Sequence, residues 1–298
     1  MIKKSSATIG IVFAILGVVL FSAKAIMVKL AYQYHVDAVT LLFFRMVFAL
    51  PFYVAIAIWK KPLHSSAINS KDYLWLIFFG FVGYYLASLF DFEGLQYLKA
   101  GLERIILFIY PTMVVLLSWL FFKNKISKKQ TIAILITYLG ILIVFWNEIG
   151  VKGDDVYWGG FLIFLSALTY AMYLVGSGWL IPKFGSVTFT AYAMIISTVC
   201  VVVHYIFIAD FNLFEYPVEV YLLGLAMAIF STLIPSFLVS EAIERLGAST
   251  FSIFGSLGPI STIVLAYLFL DEAITVIQMM GMLVVIFGVM LVSGKKRT

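Results

Sequence analysis

Residues 97–127, YLKAGLERIILFIYPTMVVLLSWLFFKNKIS, align without a gap with residues 245–275, RLGASTFSIFGSLGPISTIVLAYLFLDEAIT. At the same offset, the two halves of the chain share residue types that coincide by chance less often than Leu, Ile and Val do. These pairs include Glu93/Glu241, Ala100/Ala248, Pro111/Pro259, Gln130/Gln278 and Gly140/Gly288. The chain therefore contains an internal repeat of about half its length.

The composition is that of a helical membrane protein. Of 298 residues, 63% are hydrophobic and only 12% are charged, which leaves too little polar surface to cover a soluble core. Basic residues are scattered through short loops rather than clustered, so we expect no nucleic-acid partner. A single cysteine, Cys200, and three distant histidines exclude an internal disulfide and a cysteine metal site. We predict no cofactor and no metal.

Ten apolar runs have about the length that a membrane-spanning helix needs. They lie near 9–31, 38–59, 73–95, 100–122, 129–147, 157–181, 187–208, 218–240, 248–270 and 275–293. Most Lys and Arg residues fall in the connections that are cytoplasmic if the N-terminus is inside, so we expect both termini in the cytoplasm. We predict an all-α integral membrane protein in a lipid bilayer.

The repeats, residues 8–147 and 156–294, contain five helices each, an odd number, so they must cross the membrane in opposite directions. The charges agree: KNK at 123–125 ends helix 4 on the predicted inner side, and its counterpart DEA at 271–273 is acidic and outside. Inverted repeats are typical of secondary transporters, in which they form inward-open and outward-open states around a site near mid-membrane.

Several motifs, in order and duplicated, resemble the EamA-type members of the drug/metabolite transporter superfamily. They are VKLAYQYHVDAVTLLFFRMVFALP (28–51), GLQYLKAGLERIILFIYPT (94–112), EAIERLGASTFSIFGSLGPISTIVLAYLFLDEAIT (241–275) and GMLVVIFGVMLV (281–292). The resemblance implies a ten-helix carrier for a small metabolite in the bacterial inner (cytoplasmic) membrane. FFKNKIS at 121–127 departs from the Gly-Glu pair usual in the family at the end of helix 4, so no role of that acid is carried over.

Ionisable residues inside membrane helices are candidates for function because burying them in lipid costs about 2.5–3.5 kcal/mol even on lenient scales. Lys24 and Arg45 each lie seven residues from the outer end of a predicted helix, roughly 10 Å deep. The second repeat has no matching deep cations. We interpret both as binding an anionic substrate group, with a static salt-bridge layer, for example between Arg45 and Asp91, as the alternative.

Three carboxylates, Asp91, Glu93 and Glu241, are candidates for gating or proton coupling. Glu93 and Glu241 match across the repeat and fall at opposite membrane faces, where capping and local pairing are the alternative. Glu103 and Arg104 are interpreted as helix-end residues: an acid in the first turn of helix 4 suits the helix dipole, and Arg104 can anchor to headgroups.

Mid-helix tyrosines need a hydrogen-bond partner and therefore tend to face a cavity. We select Tyr84, Tyr110 and Tyr173 as substrate-binding candidates, although packing is the common role of aromatic residues. Pro111, Pro235 and Pro259 interrupt helical hydrogen bonds, and we predict kinks there.

We predict a secondary transporter that exports a small metabolite, amino-acid-like or otherwise carboxylated, by alternating access, with proton coupling as a further hypothesis. The alternatives are a channel and a membrane-embedded enzyme. The enzyme would need a nucleophile with a base, or a metal set, on facing helices. The sequence leaves the oligomeric state open.

Overall fold

The computed structural model describes residues 2–62, 68–123, 126, 128–152, 155–208, 213–247, 251, 254–255 and 257–293, and every regular element in those ranges is helical. The uninterrupted helices are α1 (Ile2–Tyr32), α2 (Ala38–Trp59), α5 (Lys128–Lys152), α6 (Asp155–Phe184), α7 (Ser186–Ile208), α9 (Leu257–Leu270) and α10 (Val276–Ser293). The others are interrupted. Helix α3 consists of Ser70–Gly80, a π-helical turn at Phe81–Leu86 and Ala87–Tyr97; α4 of Ala100–Leu107 and Tyr110–Phe122; α8 of Val218–Ala228, a π-helical turn at Ile229–Leu233 and Ile234–Leu246.

Seven of the described helices, α1–α4 and α6–α8, are long and apolar enough to cross a membrane, and shorter apolar helices lie in α5, α9 and α10. The predicted all-helical membrane fold is confirmed. Ten spans in two inverted repeats stay a prediction. Lys295, Lys296 and Arg297 and part of the 123–125 run, whose positive charges favour a cytoplasmic side, lie outside the described residues.

The distribution of polarity suits a lipid environment. Large apolar side chains such as Trp59, Leu139 and Phe207 are exposed, whereas Arg45 and Asp91 are buried. In hydrocarbon, helices satisfy their own backbone hydrogen bonds, and polar side chains are stable only in the protein interior. Polar and charged side chains that could bind a substrate are therefore expected at the centre of the helix bundle.

Helix irregularities recur at the spacing of the sequence repeat. The π-helical turns of α3 and α8 begin at matched positions of the two repeats, Phe81 and Ile229. Helices α4 and α9 end at non-glycine residues with positive φ, 55° at Lys123 and 52° at Asp271, which the same alignment also pairs. Left-handed backbone is uncommon for residues other than glycine, so its recurrence at matched positions supports the internal repeat.

Each predicted kink follows an irregular stretch of helix. Pro111 comes just after the turn at 108–109 in α4, and Pro235 just after the π-helical turn of α8. Pro259 follows a turn at Gly255, at the start of α9. Proline has no N–H to donate and its ring clashes with the preceding turn, which explains why regular helix resumes only at these positions.

The helices pack in pairs. Helix α5 lies along α10 and α2 along α7, while α1 packs on α8 and α9, and α6 packs on α3 and α4. The α5–α10 contact depends on two glycines, because a Cβ at Gly140 would lie 3.0 Å from the Gly281 carbonyl oxygen and one at Gly288 would lie 2.9 Å from that of Ala133.

Candidate functional site

A cavity of about 100 Å³ lies inside the bundle. The α9 side of its wall is apolar, and α1, α2, α3, α4 and α6 supply polar or charged groups. The lining includes four predicted substrate-binding residues, Lys24, Arg45, Tyr84 and Tyr110, together with Ser88, Arg104, Ser166, Tyr170 and Pro259. The structure thus brings together residues from both halves of the chain.

Lys24 of α1 forms an ion pair with Asp91 of α3, with 2.6 Å between Nζ and Oδ2. The Asp91 side chain is 1% exposed and that of Lys24 is 12% exposed, so the pair is shielded from water. A buried ion pair gains from Coulomb attraction and loses hydration of both ions, and the two terms are of similar size. The pair is therefore a poor source of stability and a good candidate for exchange of partners.

Arg45 of α2 does not form the salt bridge with Asp91 that the static alternative gave as its example. Its Nε donates to Thr232 Oγ1 at 2.6 Å, in the π-helical turn of α8, and its Nη1 donates to Ser88 Oγ of α3 at 3.4 Å. The guanidinium also lies over the Phe92 ring, 5.3 Å from its centroid. Arg45 thus connects three helices at the edge of the cavity.

Glu103 and Arg104, interpreted from sequence as helix-end residues, belong to the central cluster. Glu103 is fully buried, and its Oε2 lies 3.6 Å from Arg104 Nε. Its carboxyl group is also within hydrogen-bonding reach of the Asp91 carboxyl group. Arg104 lines the cavity and donates through Nη2 to the Phe21 carbonyl of α1 at 3.4 Å.

The N-terminus of α4 is already occupied by another acid, which explains why Glu103 points elsewhere. The Glu272 carboxylate, between α9 and α10, accepts from the backbone N–H groups of Ala100 at 2.9 Å and Gly101 at 3.2 Å. Glu272 thereby accepts hydrogen bonds from the free N–H groups of the first turn, and its negative charge stabilises the positive end of the helix dipole. The position of Glu103 in the first turn of the helix gave no sequence signal of its contact with Asp91.

The tyrosines form a connected aromatic wall. The Tyr173 hydroxyl donates to the Tyr84 hydroxyl at 3.4 Å, and the two ring centroids are 4.8 Å apart. Tyr110 contacts Tyr170 edge to face, at 5.2 Å between centroids. Tyr173 itself stands behind Tyr84 rather than in the cavity lining. Tyr170, which the sequence did not single out, faces the cavity.

The other two acidic candidates lie apart from this cluster. Glu93 is half-buried and accepts from Gln96 Nε2 at 2.9 Å. Glu241 accepts from Ser186 Oγ at 2.6 Å and from Arg245 Nη2 at 2.9 Å, near the end of α8 and the beginning of α7. These contacts correspond to the capping and pairing alternative.

The cluster carries more positive than negative groups: Lys24, Arg45 and Arg104 against Asp91 and Glu103. Apolar walls lower the local dielectric and strengthen the field of the excess cation. Across the described ranges, no group of three or more His, Cys, Asp or Glu residues could hold a metal ion. The arrangement can bind an anion.

Comparison with known proteins identifies a transporter family and several relatives of this chain. The sequence profile of the EamA-like transporter family matches residues 8–146 and 157–294. The uncharacterized transporter YcbK of Bacillus subtilis is 31% identical over 287 residues, covering 94% of this chain and 91% of the relative. An uncharacterized transporter of Archaeoglobus fulgidus is 21% identical, covering 94% and 96%. One solved crystal structure superposes with a TM-score of 0.66 at 13% identity, covering 97% of this chain and 96% of that one, and so shares its fold.

Proposed function

The chain belongs to the EamA-like transporter family, and we propose that this membrane transporter carries a small carboxylated metabolite whose binding site is the central cavity. The proposal is carried by the excess of buried cations around a cavity whose wall is mostly apolar. Its volume, about 100 Å³, is well below the roughly 300–1,000 Å³ of sites for drug-sized ligands. A small substrate therefore fits better than a bulky one.

Lys24 and Arg104 are the groups that would bind the carboxylate. Both line the cavity, and an ion pair with a substrate oxygen would give each a charge-assisted hydrogen bond. Lys24 is occupied by Asp91 in this structure, so a substrate carboxylate would compete with Asp91 for it. Arg45 would position the wall through its hydrogen bonds to α3 and α8.

Alternating access is supported by the internal symmetry of the helix packing. Exchange of the two repeats would map α5 onto α10 and α2 onto α7, and these are the helices that pack together. The same exchange would turn the contact of Gly140 with Gly281 into that of Gly288 with Ala133. We propose that the repeats are related by a two-fold axis in the membrane plane, with ten spans, and that they rock around the cavity.

The π-helical turns of α3 and α8 are the natural bending points for this motion. They occupy matched positions in the two repeats and contain Tyr84 and Thr232, respectively, and π-helical turns are frequent at functional sites. We also propose the bacterial cytoplasmic membrane as the location, with both termini in the cytoplasm. Export stays a prediction of the sequence.

A thermal-shift screen of the purified protein tests the proposed substrate class. The panel contains anionic, zwitterionic, neutral and cationic metabolites, and the variants are Lys24→Gln and, as a matched control on the same helix, Lys29→Gln. Lys29 donates to the Leu95 carbonyl at 3.0 Å and does not line the cavity.

A ligand that binds only the folded protein stabilises it by about 2.7 kcal/mol at a hundredfold excess over its dissociation constant. We expect carboxylated compounds to stabilise wild type and Lys29→Gln, and to lose this effect in Lys24→Gln. Stabilisation by neutral or cationic compounds that survives Lys24→Gln would refute the proposal.

A further inference from the structure

Asp91 and Glu103 are two buried carboxyl groups in contact with each other. Their side chains are 1% and 0% exposed, respectively, and their groups lie within hydrogen-bonding reach. Lys24 Nζ lies 2.6 Å from Asp91 Oδ2, whereas Asp91 Oδ1 and both carboxyl oxygens of Glu103 have no hydrogen-bond partner in the described ranges. The ion pair with Lys24 and the 3.6 Å approach of Arg104 are the charged contacts that compensate them.

Two ionised carboxylates within hydrogen-bonding reach of each other would repel each other in a low-dielectric interior. Proteins resolve such contacts by keeping one proton on the pair, so that one oxygen becomes a donor to the other. A single proton would also satisfy carboxyl oxygens that now lack a donor, and leaving those oxygens unsatisfied is costly in a buried site. We propose that Asp91 and Glu103 form a proton-binding site that holds one shared proton in the resting transporter.

The surrounding charges limit the pair to one proton. Lys24 of α1 and Arg104 of α4 face the carboxyl groups directly, and Arg45 of α2 lies further away, held by Thr232 and Ser88. On α6 and α4, Tyr170 and Tyr110 interact with Arg104, and Tyr32 of α1 lies near Asp91. The acid between α9 and α10, Glu272, is bound to the N-terminus of α4. The cations favour one remaining negative charge on the pair.

This inference rests on the proposed function where it concerns transport. A substrate carboxylate that takes Lys24 from Asp91 would leave the pair with less positive charge beside it, and so increase its affinity for the proton. By thermodynamic reciprocity, the proton would increase the affinity for the substrate to the same degree. Proton and anion would then cross together. Under an inward proton gradient, that coupling drives uptake, the opposite of the export predicted from sequence.

Infrared spectroscopy tests the shared proton without a substrate. A protonated carboxylic acid has a C=O stretching band distinct from the bands of a carboxylate. For wild type in nanodiscs at neutral pH, we expect one such band from a buried acid, and we expect it to disappear in Glu103→Gln and in Asp91→Asn. Either substitution leaves a single carboxyl group beside two cations, which favours its ionised form.

The matched control is Glu93→Gln, two residues from Asp91 on the same helix and hydrogen-bonded to Gln96; the band should persist in it. If Glu103→Gln and Asp91→Asn fail to fold, wild type alone decides: the band must be present at neutral pH and be lost at high pH. A wild-type spectrum without the band, or a band that survives both substitutions in folded protein, would overturn the inference and leave the proposed substrate class untouched. Failure of every carboxylate in the thermal-shift screen would do the reverse.

Discussion

Removing one partner of the Lys24–Asp91 pair should destabilise the protein far more than removing both. At 2.6 Å, two unit charges attract by about 6 kcal/mol at an effective dielectric constant of about 20. Burying each ion costs several kcal/mol, so the net contribution of the intact pair is close to zero. Lys24→Met or Asp91→Leu alone leaves a buried charge without its partner, and each should cost about 3–5 kcal/mol.

The double variant K24M/D91L buries two apolar side chains of similar volume in the place of the pair. Its free energy of unfolding should lie within about 1 kcal/mol of that of wild type, because a buried ion pair is often no better than a hydrophobic replacement. The single costs would therefore not add, as expected for residues in contact.

Unfolding in mixed micelles with a rising fraction of denaturing detergent, followed by the fluorescence of the six tryptophans, measures these energies. Lys29→Met is the control, since it removes a lysine from the same helix that hydrogen-bonds to a backbone carbonyl. Additive costs in the double variant, or single variants that cost no more than Lys29→Met, would refute the description of Lys24 and Asp91 as a buried, mutually compensating pair.

Three further predictions concern packing, positioning and topology. Gly288→Ala should destabilise the protein by about 1–3 kcal/mol, because its Cβ would meet the backbone of α5, whereas Gly178→Ala, with nothing within 4 Å, should stabilise it slightly; equal unfolding energies would contradict the close α5–α10 contact. Arg45→Lys should weaken substrate binding in the thermal-shift assay, because an ammonium group cannot reproduce the two directed hydrogen bonds of the guanidinium and its contact with an aromatic ring. Unchanged binding would show that only the positive charge of Arg45 matters. The topology can be tested in a variant without the native cysteine by adding an impermeant maleimide to intact cells. The reagent should label Phe214→Cys, since the wild-type Phe214 side chain is 94% exposed, and should label Lys60→Cys only after permeabilisation. The reverse pattern would show the opposite topology.

Hydropathy and repetition in the sequence were enough to predict the membrane fold, because both can be read along the chain without knowledge of side-chain contacts. Runs of about 20 apolar residues identify membrane helices. The offset found between the two halves of the sequence reappears in the π-helical turns beginning at Phe81 and Ile229, and in the helix ends at Lys123 and Asp271. In the part of the chain described, the apolar segments of α5, α9 and α10 are shorter than a full span.

The site could be predicted only as a layer. The depth of a charge follows from the helical rise of about 1.5 Å per residue. Depth placed Lys24, Arg45 and Asp91 in one layer, but it does not specify which way each side chain points around its helix. The sequence therefore could not decide that Asp91 pairs with Lys24, while Arg45 binds hydroxyl groups on α3 and α8.

Long-range contacts account for the residues whose neighbours could not be predicted from the sequence. Glu103 was read as the acid that complements the dipole of α4, but Glu272, from the second half of the chain, takes that position. Glu93 and Glu241 matched across the repeat, yet each has its partners outside the central cluster, Glu93 on its own helix and Glu241 on α7. Residues matched between the repeats occupy equivalent positions in the fold, but their neighbouring side chains differ because the two repeats differ in sequence.

The central claim, a carrier whose substrate carboxylate binds at Lys24 and Arg104, is tested most directly by counterflow in proteoliposomes. Vesicles are loaded with the carboxylate that stabilises the protein best, and uptake of its labelled form from outside is followed in wild type, Lys24→Gln and the Lys29→Gln control. The account predicts transient accumulation of label above equilibrium in wild type and Lys29→Gln, and none in Lys24→Gln. Flux that only equilibrates the label would indicate a channel, and accumulation that survives Lys24→Gln would show that the substrate binds elsewhere.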